Sequence, residues 1–177
     1  VKREYNLEFS NKKLADLIKS VYTEGHTINR VDIAKMCVEK GYAFDVKDAF
    51  NKYLISAYEK TRKYRKGINY EEAINLINNS SGISVLAHPK SLELSQKEFL
   101  ILLKDLIKCG LNGIEVYHSS HTKEEMMFYK GICLEHGLFI TGGSDFHGSN
   151  KPDVKLAHGI NDNLNIRKYQ LKLPENM

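Results

Sequence analysis

The sequence predicts an α/β protein: a small helical module followed by a parallel-sheet portion. Three observations carry this. Residues 1–67 hold 15 Lys/Arg against 9 Asp/Glu, whereas residues 68–177 hold 11 against 13. The first region shows only helical spacing of apolar residues. From Ile68 onward, helix and strand patterns alternate through three successive units. That alternation implies parallel strands joined by crossover helices, in a barrel or an open sheet.

In the helical module, Leu14, Leu17, Ile18, Val21 and Tyr22 recur at helical spacing. Val31, Ile33, Ala34, Cys37 and Val38 repeat the pattern and end at Gly41. A third stripe of Val46, Ala49, Phe50, Tyr53, Leu54 and Ala57 begins near Asp45. A dense basic run, Lys60, Arg62, Lys63, Arg65 and Lys66, closes the module. Such a run suits a solvated helix end or a phosphate contact.

Beyond it, Asn69 with Glu72, Ser95 with Glu98 and Thr122 with Glu125 have the spacing of capping boxes, each opening a helix. The expected strands are Ile83–Ala87, Gly113–Tyr117 and Leu138–Thr141, with a short last one at 169–171. No apolar stretch approaches the ~20 residues of a membrane span. Cys37, Cys109 and Cys133 are odd in number and widely spaced, as expected of reduced thiols in a cytoplasmic protein. Collagen-like, disordered and disulfide-scaffold classes are excluded by composition.

Active sites of parallel α/β folds form at the carboxyl ends of the strands. Each expected strand here runs into histidine: Ala87-His88-Pro89, Tyr117-His118-Ser119-Ser120-His121, and Gly142-Gly143-Ser144-Asp145-Phe146-His147. His88, Asp145 and His147 are the candidate metal ligands. In an extended segment, residues 145 and 147 would point the same way. Pro89 is expected to hold His88 extended, and Gly142 and Gly143 to allow a tight turn. His118 and His121 read as outer groups, substrate contacts or general acids. Glu115, in mid-strand, either partners a ligating histidine or faces solvent. His26, His136 and His158 read as structural. Histidine with carboxylate suits Zn, Mn or Fe better than Ca.

These blocks, in this order, resemble the later motifs of the PHP (polymerase and histidinol phosphatase) family. The chain is similar to the branch acting on nucleoside 3′,5′-bisphosphates and RNA 5′ ends. Residues 25–54 resemble a helical insertion of that branch, including Asn29-Arg30-Val31-Asp32-Ile33-Ala34 and Ala49-Phe50-Asn51-Lys52-Tyr53-Leu54. The resemblance implies part of a distorted (βα)7 barrel, with 1–67 as the insertion module and 68–177 as the C-terminal βα half. It implies up to three divalent metals in the intact protein and a cytoplasmic phosphoesterase that hydrolyses esters with metal-activated water. Its substrates would be a phosphorylated small molecule, a nucleotide or an RNA 5′ end. His88, Asp145 and His147 match ligand positions. His118 and His121 match a substrate-side segment, and Arg30 an arginine suited to phosphate; Lys90 is a further cation for the developing charge. The family often has histidine where this chain has Asp32, a candidate ligand in its place.

No His-x-His occurs, although that motif opens the family's barrel. A barrel of this kind takes ~250 residues, and the chain starts with Val1, not Met. The expectation is therefore an incomplete chain, inactive alone and weak in metal binding. The alternatives are an amidohydrolase-like metal hydrolase and a non-catalytic nucleic-acid-binding domain.

Overall fold

A computed structural model describes residues 5–25, 27–61, 64 and 67–173. His26, Arg62, Lys63, Arg65 and Lys66 of the sequence reading lie outside the described residues. The chain forms two compact units, Val1–Lys66 and Gly67–Met177.

The first unit is helical. α1 (Asn11–Glu24) starts where the Ser10 hydroxyl accepts the Lys13 amide, and ends at left-handed Gly25. α2 (Arg30–Glu39) opens with a capping box: Asn29 Oδ1 accepts from Val31, and the Asn29 amide donates to Asp32 Oδ2 at 2.8 Å. α3 (Val46–Ala49) runs through a wide π-type turn, Phe50–Leu54, into α4 (Ile55–Thr61). The third apolar stripe thus sits on one helix interrupted by a π-turn. Ala34, Cys37, Ala43, Ala49, Leu54 and Leu7 form the core. Small residues at 34 and 49, both fully buried, let the helices approach closely. The Arg30 guanidinium lies over the Tyr58 ring at 4.3 Å and the Phe50 ring at 5.7 Å.

The second unit is built on a parallel sheet in the order β1 (Val85–Leu86), β2 (Gly113–His118), β3 (Phe139–Gly143). Its helices are α5 (Tyr70–Asn79), α6 (Gln96–Lys108) and α7 (Lys123–His136). All three expected capping boxes are formed. Ile114 and Val116 are fully buried among Phe99, Leu103, Tyr129 and Ile132. Burying a large apolar side chain in this way contributes about 1.5–3 kcal/mol.

Two expectations change. β1 is shorter than Ile83–Ala87, because the Ser84 amide turns to the Asn112 side chain at 2.9 Å instead of extending the ladder. The stretch at 169–171 is no strand: Lys168–Gln170 make a 3-10 turn, and only Lys172 bridges to Ile140, antiparallel. A two-stranded hairpin, β4 (Val154–Lys155) and β5 (Gly159–Ile160), follows the last sheet strand.

Candidate metal centre

The carboxyl rim of the sheet is shaped by a β-bulge. Glu115 lies opposite Thr141, but Tyr117 lies opposite Gly142, so β2 carries one extra residue, Val116. On a regular strand Glu115 and His118 would face opposite sides. The bulge changes that parity, as bulges near active sites do. Ligand atoms of His88, Glu115 and His118 come within 4.8 Å of one another.

The glycines make this possible by what they lack. A Cβ on Gly142 would stand 2.7 Å from Tyr117 Cβ, and one on Gly143 would stand 3.2 Å from Glu115 Oε1. Both lie within β3, not in the tight turn expected of them. The turn falls later, at Asp145, whose φ is +58°. Asp145 is therefore not in an extended segment. Its link to His147 is a contact of His147 Nδ1 with the Asp145 carbonyl at 2.7 Å, and with Oδ1 at 3.4 Å.

His88 also departs from expectation. It adopts φ +47°, ψ +52°, in the left-handed region. The chain turns there into a 3-10 segment, Pro89–Leu92. The His88 amide donates to Glu115 Oε2 at 2.9 Å, and the His88 carbonyl accepts from the Ser91 amide and hydroxyl. Its ring stands edge-on to that of His118, with centroids 4.3 Å apart.

An open cleft of about 630 Å³ lies at this rim, lined by His88, Lys90, Ser91, Glu93, His118, Ser120 and Asp145. His88, His118, Lys90 and Asp145 are thus brought together as cleft-lining groups. His147, half exposed, joins through Asp145. His121 does not line the cleft and is buried. Its Nδ1 faces the Val116 carbonyl at 2.9 Å. A carbonyl only accepts, so Nδ1 carries the proton and Nε2 the lone pair. Arg30 and Asp32 belong to the other unit, Arg30 stacked on aromatic rings and Asp32 capping a helix.

The electrostatics fit a cation. Burial holds the His118 imidazole below the ordinary histidine range, with Glu115 and Asp145 pulling the other way. Burial pushes the Asp145 carboxyl up, but its hydrogen bond and charge pairing with Lys151, together with His147 and His118, outweigh this and keep it below the ordinary range. A neutral imidazole and an ionised carboxylate are the forms that ligate. Nε2 of both His118 and His121 is buried without a hydrogen-bond partner among the described residues. His118 Nδ1 accepts from the Ser120 amide at 3.1 Å, and the Ser120 hydroxyl lies 2.7 Å from the same nitrogen. Lys90 is held by Glu125 at 2.9 Å.

Sequence reasoning underweighted Glu115 and missed Ser91, Glu93, Ser120 and Lys151. For Glu115 the signal was a carboxylate in an otherwise buried strand. The others carried none: Ser91, Glu93 and Ser120 are loop residues that line the cleft, and Lys151 joins through its ion pair with Asp145.

Fold and donor set define an α/β protein with a metal-type site at its strand ends. No family model matches the chain. It is 28% identical over 131 residues to a 3′,5′-nucleoside bisphosphate phosphatase of Chromobacterium violaceum, covering 74% of this chain and 46% of that protein. It is 32% identical over 125 residues to the 5′-3′ exoribonuclease Rnm of Escherichia coli, covering 70% and 42%. A solved structure from Bifidobacterium adolescentis, described as a metal-dependent phosphoesterase, superposes with a TM-score of 0.63 at 28% identity, over 90% of this chain and 54% of that one. The similarities are thus to PHP-type phosphoesterases, bisphosphate phosphatases and 5′-3′ exoribonucleases among them. It spans less than half the length of each of the two curated relatives.

Proposed function

We propose that the protein carrying this chain is a metal-dependent phosphoesterase acting on a nucleotide or an RNA 5′ end. The observation that carries it is the meeting of His88, His118 and Asp145 in one cleft at the strand rim, with the Glu115 carboxylate within 4.8 Å of the two imidazoles. The parallel strands would belong to a distorted (βα)7 barrel.

His88, His118 and Asp145 would hold the cation, with His147 joining from the exposed side. Zn, Mn or Fe there would supply a Lewis acid and activate water at neutral pH. The chain's own groups do the rest. Ser120 fixes the His118 ring. Glu125 holds Lys90 at the cleft, where its ammonium offers a point charge to a phosphate. Arg30, stacked and pre-organised, is a second phosphate candidate on the helical unit.

The test assays the protein carrying this chain, loaded with Zn, Mn or Fe, against a nucleoside 3′,5′-bisphosphate, a 5′-phosphorylated RNA and an amide. Phosphate release that falls at least about 100-fold in Asp145→Asn and His88→Ala is expected, in line with loss of a ligand. Amide hydrolysis, or strongly salt-dependent RNA binding without turnover, would overturn the reading.

A further inference from the structure

We propose that Glu115 is a positioning residue: it acts through the backbone of His88, not as a metal ligand. The inference rests on the reading of His88 as a ligand.

His88 needs holding. A non-glycine residue in the left-handed region is strained and persists only where its surroundings over-determine it. The carbonyl side is fixed locally by Ser91, three residues on. The amide side is fixed from far away, by Glu115 Oε2 at 2.9 Å across 27 residues of sequence. Glu115 stands on the central strand, its side chain 15% exposed. Its other oxygen lies where a Cβ at Gly143 would come within 3.2 Å. One carboxylate therefore spans the ends of all three strands. It meets the amide after β1, stems from β2 and occupies the gap left by a glycine on β3.

The contact to the His88 ring is looser, with Nδ1 3.7 Å from Oε2. That distance is too long for a hydrogen bond. The geometry thus assigns Glu115 to the amide and leaves the His88 imidazole turned edge-on to His118. What the amide requires is an acceptor oxygen at the end of a three-carbon arm. Charge is not required. Glutamine meets that requirement; aspartate is one carbon short, and alanine has no acceptor.

The experiment compares wild type, Glu115→Gln, Glu115→Asp and Glu115→Ala by two readouts. The first is hydrogen exchange at the His88 amide, followed by NMR on 15N-labelled protein, with the Ile114 amide as a reference for global opening. Protection is expected in wild type and E115Q, and at least about 10-fold faster exchange at His88 in E115A and E115D, with Ile114 unchanged. The second is Zn²⁺ affinity by competition with a chromophoric chelator. E115A is expected to bind about 10–100-fold more weakly, as for loss of a group that orients a ligand, and E115Q within about 3-fold of wild type. An unprotected His88 amide in wild type overturns the proposal. So does E115Q losing Zn²⁺ as fully as E115A while keeping its amide protected, which would make Glu115 a ligand. Gly143→Ala crowds Glu115 Oε1 while leaving both Glu115 and His88 unsubstituted, and should speed His88 exchange as well. Failure of the phosphoesterase reading shows differently: His88→Ala would leave Zn²⁺ binding unchanged, while the exchange results still decide the role of Glu115.

Discussion

Two Gly→Ala substitutions in the βα unit should move stability in opposite directions. At Gly142 the new methyl would stand 2.7 Å from Tyr117 Cβ and 2.9 Å from the Tyr117 carbonyl oxygen. Carbon atoms rest about 3.5–4.0 Å apart. Neither contact is the end of a flexible side chain, so β2 and β3 must part or the bulge must reorganise. Overpacking of this kind costs about 1–3 kcal/mol. Loss of unfolded-chain entropy returns about 0.4–1 kcal/mol, leaving Gly142→Ala destabilised by about 1.3 kcal/mol at the middle of the two ranges. Gly131 lies inside α7 with open space around its missing Cβ. Alanine there gains about 1 kcal/mol from helix propensity alone. Urea denaturation of the two variants at matched m should therefore separate them by about 2–3 kcal/mol. A Gly142→Ala protein within about 0.5 kcal/mol of wild type would refute the claim that the bulge depends on this glycine.

Two further outcomes test other parts of the unit. Ser95→Ala removes the hydroxyl that accepts the Glu98 amide at 3.3 Å and should cost about 1 kcal/mol in thermal or urea unfolding, with Ser95→Gly costing only a few tenths. Burial pushes the Cys133 thiol up to about 11, so the native state keeps a proton that the unfolded chain releases near pH 9. The stability from this thiol is present below pH 9 and is lost as pH rises toward 11, at no more than about 1.4 kcal/mol per pH unit. Urea midpoints of wild type and Cys133→Ala should converge over that range. In native protein at pH 8, iodoacetamide should label half-buried Cys109 well before Cys133 or Cys37; equal labelling would contradict the burial.

The parts of this fold legible in the sequence are those whose cause lies within about four residues. Asn69, Ser95 and Thr122 each bond an amide three residues ahead, and all three helices begin where these side chains stand. The histidine rim was legible for a related reason: a strand's carboxyl end is marked by the strand itself. What decides the site's geometry is longer in range. Read locally, Pro89 argues for an extended His88. The structure makes it left-handed, with its amide met by a carboxylate 27 residues away. The bulge at Val116 is defined only against its partner strand, and ligand atoms of Glu115 and His118, on either side of it, come within 4.8 Å. Asp145 and His147 were read as an alternating pair, yet the turn at Asp145 replaces alternation with a backbone contact. Residue types at strand ends thus announce the chemistry, whereas the shape of the site comes from pairings between strands. Gly142 and Gly143 show the two together: a local pattern suggests a flexible turn, but their missing side chains make room for Tyr117 and Glu115 on the neighbouring strand.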